Sequence, residues 1–215
     1  GIRWFHKRRL REFWAGPGPG FPRLLKDGLI LLVLLAVSDL IAWTTGIIPY
    51  SYSAYPLDAM ITLVVGCLLI PVQALTEELV FRGYLLQQLY LRFGNPWLPA
   101  ILSSVLFALL HGANPEVQAY GFWPSMTMYF IMGMFFCLMV YLDGNLRLAM
   151  LAHTINNIYG LAIVSYPNAV MEMPAFFMME ELNVTWALAL LPVFMTVYLW
   201  IVRRWRFRYQ VSPSS

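Results

Sequence analysis

The chain is laid out as long apolar runs separated by short polar turns. Six runs stand out, at 24–43, 57–91, 97–111, 122–142, 146–166 and 182–202. A helix needs about 20 apolar residues to cross the hydrocarbon core. In lipid the backbone must satisfy its own hydrogen bonds, so spans are helices or closed barrels. These runs are too long and continuous for barrel strands. The pattern therefore predicts an all-α, polytopic membrane bundle of about six transmembrane helices. The second run exceeds the length of a span and is expected to tilt or project, with Pro71 as a candidate kink. The third is short. Gly94-Asn95-Pro96, Gly112-Ala113-Asn114-Pro115 and Asp143-Gly144-Asn145 are the turn signals between runs. Gly133 in the fourth run suits close approach of a neighbouring helix. No internal repeat is visible.

Composition agrees. Of 215 residues, 60% are hydrophobic and 12% charged, against roughly half and a quarter in a soluble domain. Cys67 and Cys137 lie inside apolar runs, where they act as small hydrophobes and no disulfide is expected. The net charge of +3 comes from basic clusters at both ends. These suit anionic lipid headgroups. No base-stacking platform accompanies them, so nucleic acid is set aside as a partner. The arm at 1–22 combines Arg3, Lys7, Arg8, Arg9 and Arg11 with Trp4, Phe5, Phe13 and Trp14. It reads as an interfacial helix or a solvated basic tail, followed by a Pro/Gly hinge at 15–22. A cleavable signal peptide is not expected, because the first apolar run starts late. The expected organisation is an arm at 1–22, a membrane domain at 23–204 and a basic tail at 205–215.

Charge also predicts orientation. With six spans, the arm, Arg92, Arg147 and the tail from Arg203 fall on one side. The opposite loops hold no Lys or Arg and carry Asp58, Glu116, Glu172, Glu180 and Glu181. Positive residues stay inside, so both termini are expected to be cytoplasmic, in a prokaryotic plasma membrane.

Ionisable residues within spans are costly and usually functional. Here they fall into three groups: Glu77, Glu78 and Arg82 in the second run, Phe107 and His111 closing the third, and His153 with Asn157 in the fifth. His153 and Asn157 share a helix face at spacing four, and Glu78 and Arg82 can pair at the same spacing. Glu77 points about 100° away from Glu78, so the two glutamates are not expected to share one environment. From the nearest turn, straight helices put Glu77 and His111 at about 25 and 24 Å, and His153 and Asn157 at about 12 and 18 Å. Asp39 is expected near an interface, held by solvation. Met126, Met128, Met132, Met134 and Met139 read as packing or lipid-facing surface. Trp43, Tyr50, Trp123 and Trp186 read as interfacial anchors.

Glu-Glu-x-x-x-Arg, Phe-x-x-x-His and His-x-x-x-Asn, in this order on successive spans, resemble the CAAX protease and bacteriocin-processing (CPBP) family. These are glutamate-dependent intramembrane endopeptidases related to the Ras-converting CAAX endopeptidase. The resemblance covers roughly 57–166, and Phe81-Arg82-Gly83 extends it. It implies that Glu77 is general base for a water, His111 helps hold that water, His153 and Asn157 stabilise the oxyanion, and Glu78 with Arg82 supports the site. It also implies no metal and no cofactor, and a peptide or membrane-anchored protein as substrate. A zinc site would more commonly show His-Glu-x-x-His on one helix, which is missing here. Two other classes compete: a non-catalytic scaffold or accessory subunit that binds membrane proteins, and a transporter using the same residues as a proton relay. Transporters often show repeated halves with broken helices.

Overall fold

The structure is a computed structural model that describes residues 20–210, with side chains through 204. Of the arm and hinge expected at 1–22, residues 1–19 lie outside the described residues. Helix α1 (Phe21–Thr44) starts at Pro22 in its first turn, where a missing N–H costs nothing. A short strand β1 (Tyr50–Tyr52) follows. Helix α2 (Pro56–Glu78) again opens on proline and continues through Pro71. It passes into a π-helical segment π1 (Leu79–Leu85) and then α3 (Leu86–Phe93). Helices α4 (Trp97–Leu110), α5 (Pro115–Tyr120), α6 (Phe122–Asp143) and α7 (Arg147–Ile158) come next. A second π segment, π2 (Tyr159–Ile163), extends α7, and α8 (Val184–Gln210) closes the described chain.

The turn signals act as read. Gly94 and Gly144 end α3 and α6 in the left-handed conformation, at φ 71° and 68°, where a Cβ would be strained. Asn95 Oδ1 then accepts the backbone N–H groups of Trp97 and Leu98, at 2.9 and 3.0 Å. Asn145 Oδ1 accepts the N–H of Arg147 at 2.9 Å. Each glycine stops one helix and each asparagine caps the next.

Among the described residues, three helical stretches are long and apolar enough to cross a membrane: Pro56–Phe93, Phe122–Asp143 and Val184–Arg204. They correspond to the second, fourth and sixth expected spans. The third is a helix of 14 residues. The fifth consists of α7, with 12 residues, and π2, with 5; it stops at Ile163, short of the expected Tyr166. The all-α expectation holds apart from one small sheet. Strand β3 (Phe177–Met179) pairs antiparallel with β1 and parallel with β2 (Val164–Ser165). Two- and three-residue strands are too short to leave a period-two signature.

Helix α6 is central. It packs along α4 and also against α7 and α8, while α7 packs on α1 and α2. Close approach of α4 and α6 depends on Gly133, where an added Cβ would lie 2.8 Å from Ser104 Cβ and 2.9 Å from its Cα. Phe81, Phe107, Phe135, Phe136, Met139, Leu148 and Tyr198 form the core between these helices. Leu29, Leu32 and Val33 of α1, Leu68 and Leu69 of α2, Leu109 of α4 and Val193 of α8 face outward. This is the apolar exterior that lipid requires.

Candidate active site

Glu78 is the last residue of α2 and Arg82 lies one turn on, inside π1. Both are fully buried. Arg82 Nη1 donates to Glu78 Oε1 at 2.9 Å and Nη2 to the Gly133 carbonyl at 3.0 Å. The guanidinium carbon sits 4.6 Å from the Phe107 ring centroid and 5.2 Å from that of Phe136. Phe107, noted only as part of a motif, thus forms the floor beneath the arginine. Its ring is also 4.5 Å from the imidazole of His111.

His153 bridges the two glutamates. Its Nδ1 is 2.8 Å from Glu78 Oε1, and its Nε2 is 3.7 Å from Glu77 Oε2. The glutamates do differ in burial and hydrogen-bond partner, Glu78 on Arg82 and Glu77 on Gln73, but they share His153 as a neighbour. Their Cα–Cβ vectors do diverge around the helix, but an imidazole carries nitrogens on two edges and reaches both carboxylates at once. The ring is held by stacking on Phe136, at 4.6 Å and 16°. An ionised carboxylate only accepts, so the hydrogen on Nδ1 points at Glu78. That orients the ring and turns Nε2 towards Glu77.

Glu77 is partly exposed, with 23% of its side-chain surface accessible. Gln73 Nε2 donates to its Oε1 at 2.8 Å. Its Oε2 is buried and has no hydrogen-bond partner within the protein. Gln73 did not emerge from the sequence. The signal was its spacing of four from Glu77, which puts it on the same helix face.

His111 caps the end of α4, and its Nδ1 lies 2.8 Å from the Phe107 carbonyl. A carbonyl accepts, so this nitrogen carries the hydrogen and Nε2 remains for another partner. The imidazole stacks on Tyr129 at 4.3 Å. Asn157 Oδ1 accepts from Asn156 Nδ2 at 3.3 Å. Glu77, His111, His153 and Asn157 all line one cavity of about 630 Å³, bordered by α2, π1, α4, α5, α6, α7, π2, α8 and the 166–184 loop. The straight-helix depths had placed them up to about 13 Å apart. Tilted helices and ends that project absorb such a spread, so one shared pocket is compatible with it. Beyond Glu78 the chain continues through π1 into α3, where Leu86 packs on Ala100 and Cys137, while Leu146 packs back against Leu75 and Leu79.

Two further readings change. Asp39 is not held by solvent; it accepts hydrogen bonds from Tyr50 at 3.0 Å and Tyr159 at 2.6 Å. Burial, reinforced by the Asp39 charge, pushes the Tyr50 phenol above its ordinary range. The methionines divide: Met126 and Met139 are buried, and Met128 and Met132 line the cavity. No three His, Cys, Asp or Glu side chains among the described residues are arranged to hold a metal ion.

Residues 56–159 match the family described as type II CAAX prenyl endopeptidase Rce1-like. The match agrees with the protease family that the three motifs resemble. The chain is also 28% identical to the uncharacterized protein YyaK of Bacillus subtilis (strain 168), an alignment covering 98% of this chain and 73% of that one. No solved structure matches the chain. Family and apolar helices together make this an integral membrane protein.

Proposed function

We propose that this chain is a glutamate-dependent intramembrane endopeptidase that hydrolyses a peptide bond of a membrane-associated, C-terminally processed or leader-bearing polypeptide. The observation that carries the reading is the buried, unpartnered Glu77 Oε2, facing His153 Nε2 across 3.7 Å on the wall of the cavity. A buried carboxylate oxygen without a protein partner is completed by water or ligand. A water held there lies beside its base.

Glu77 removes a proton from this water as the oxygen attacks the scissile carbonyl carbon. His111 Nε2 helps orient the water. The carbonyl oxygen becomes an oxyanion and accepts from Asn157 Nδ2 and from His153 Nε2, with the His153 ring doubly protonated. At that stage Glu77 carries the water's proton and is neutral, and the oxyanion, Glu78, Arg82 and His153 sum to zero charge, which a low-dielectric site favours. On collapse the C–N bond breaks, and the proton on Glu77 passes to the leaving amine. Donors fixed before the reaction are worth more here than in water, because they need no reorganisation.

The test uses proteoliposomes and two sets of quenched fluorescent peptides: one ending in a prenylated cysteine and three further residues, the other unprenylated leader segments. One set is expected to be cleaved, with turnover surviving chelators. Glu77→Gln is expected to be folded and inactive, and Asn157→Ala to lose about a hundredfold in kcat with little change in KM. Cleavage that persists in Glu77→Gln would remove the proposed base. Loss on chelation with rescue by zinc would replace the mechanism with a metallopeptidase. Failure to cleave either set would favour the scaffold.

A further inference from the structure

The same cavity holds a second carboxylate that the proposed reaction does not use. Glu116 opens α5 and is 6% exposed. Tyr129 donates its hydroxyl hydrogen to Glu116 Oε1, and Asn114 Nδ2 donates to the Tyr129 oxygen at 2.7 Å. Glu116 Oε2 is buried with no hydrogen-bond partner, and no Lys or Arg among the described residues pairs with it. The surroundings are aromatic. Tyr120, Tyr129 and Tyr166 all line the cavity beside Glu116, and the rings of Tyr120 and Tyr166 meet edge to face at 6.1 Å. The Tyr120 hydroxyl is tied to the Pro167 carbonyl at 2.6 Å, which fixes one wall of this corner.

A buried carboxylate without a counter-charge is costly, and tyrosine faces attract cations. Together they describe a receptor for one positively charged nitrogen. We propose that Glu116, framed by Tyr120, Tyr129 and Tyr166, is a subsite for an ammonium group of the bound polypeptide, either a lysine side chain or a free N-terminus. The subsite rests on reading the cavity as the place where a peptide binds. It adds a charge requirement to that reading. Tyr129 links the two places, with its ring stacked on His111 and its hydroxyl on Glu116, so an ammonium held there would set which peptide bond is presented.

The experiment measures binding, which separates it from the question of catalysis. Full-length Glu77→Gln protein is placed in phosphatidylglycerol nanodiscs, where no lipid amine competes. The probes are short apolar fluorescent peptides carrying one lysine, moved through each position, compared with the same peptides carrying Nε-acetyllysine. A second arm compares free with acetylated N-termini. One lysine register, or the free N-terminus, is expected to bind about tenfold or more tighter than its acetylated twin, the scale of a desolvated charge contact. Adding Glu116→Gln, which keeps an oxygen for Tyr129 but removes the charge, is expected to close that gap. A charge preference without cleavage by the wild type would leave the subsite standing and remove the peptidase. If no register and neither terminus prefers the ammonium, or if the preference survives Glu116→Gln, the subsite is wrong.

Discussion

At the scale of single residues, the two adjacent glutamates differ in what their charge does. Glu78 is the acceptor for both Arg82 and His153 through one oxygen. Glu78→Gln keeps an oxygen for these donors but leaves the Arg82 charge buried without a counter-charge, among neutral acceptors and the rings of Phe81, Phe107 and Phe136. Removing one member of a buried pair costs about 3–5 kcal/mol. Thermal unfolding in detergent is therefore expected to show a large fall in midpoint for Glu78→Gln, partial recovery in Glu78→Gln with Arg82→Met, and little change for the partly exposed Glu77→Gln. A Glu78→Gln protein as stable as the wild type would show that the pair carries no structural weight. The motif residues were legible because polar groups inside apolar runs are conspicuous. Glu116 was visible only as one of several loop acids, and Tyr129 not at all. Their meaning comes from a contact between α5 and α6 that no spacing within one helix encodes.

At the scale of elements, the contact that matters most is the one between α4 and α6. Gly133 lets the helices meet, and its carbonyl is also the second acceptor for Arg82. A Cβ at 133 would press on the Ser104 backbone at 2.9 Å, and backbone cannot swing aside as a flexible side chain does. Gly133→Ala is expected to lower stability by about 1–3 kcal/mol, the usual cost of overpacking, and to disturb the Arg82 cradle with it. Gly160→Ala is the control, because a Cβ there meets nothing within 4 Å. Unfolding of both variants in detergent decides the matter; equal midpoints would show that α4 can move outward freely. The helices and their turns were readable from apolar run length and from Gly-Asn pairs. The π segments were not, because widening a helix by one residue leaves the apolar character of a membrane run unchanged. Yet π1 directly follows Glu78 and π2 directly follows the stretch carrying Asn157. Depth arithmetic on straight helices allowed one shared pocket, and Glu77, His111, His153 and Asn157 do line one.

At the scale of the whole molecule, the described lysines and arginines other than the buried Arg82 sort to one end. Arg23 and Lys26 begin α1, Arg92 ends α3, Arg147 begins α7, and Arg203 and Arg204 lie late in α8. The other end carries the three-stranded sheet, α5 and the acids Asp58, Glu116, Glu172, Glu180 and Glu181, with no lysine or arginine between 44 and 56, 111 and 122, or 164 and 184. Connectivity requires this alternation: β1 pairs with β3, and β3 with β2, only if the chain returns to the same end after α1, after π2 and before α8. The positive-inside rule then assigns the Arg92 end to the cytoplasm, and we propose that orientation. Single cysteines at Arg92→Cys and Glu172→Cys, on a Cys67→Ser background that removes the exposed native thiol, test it in intact cells. A membrane-impermeant maleimide is expected to label the cysteine at 172 from outside and to reach the one at 92 only after the membrane is opened. The opposite pattern would invert the protein and put its basic end outside. Labelling of both sites from one side would break the alternation itself, and with it the reading of the short α4 and the α7–π2 unit as crossings.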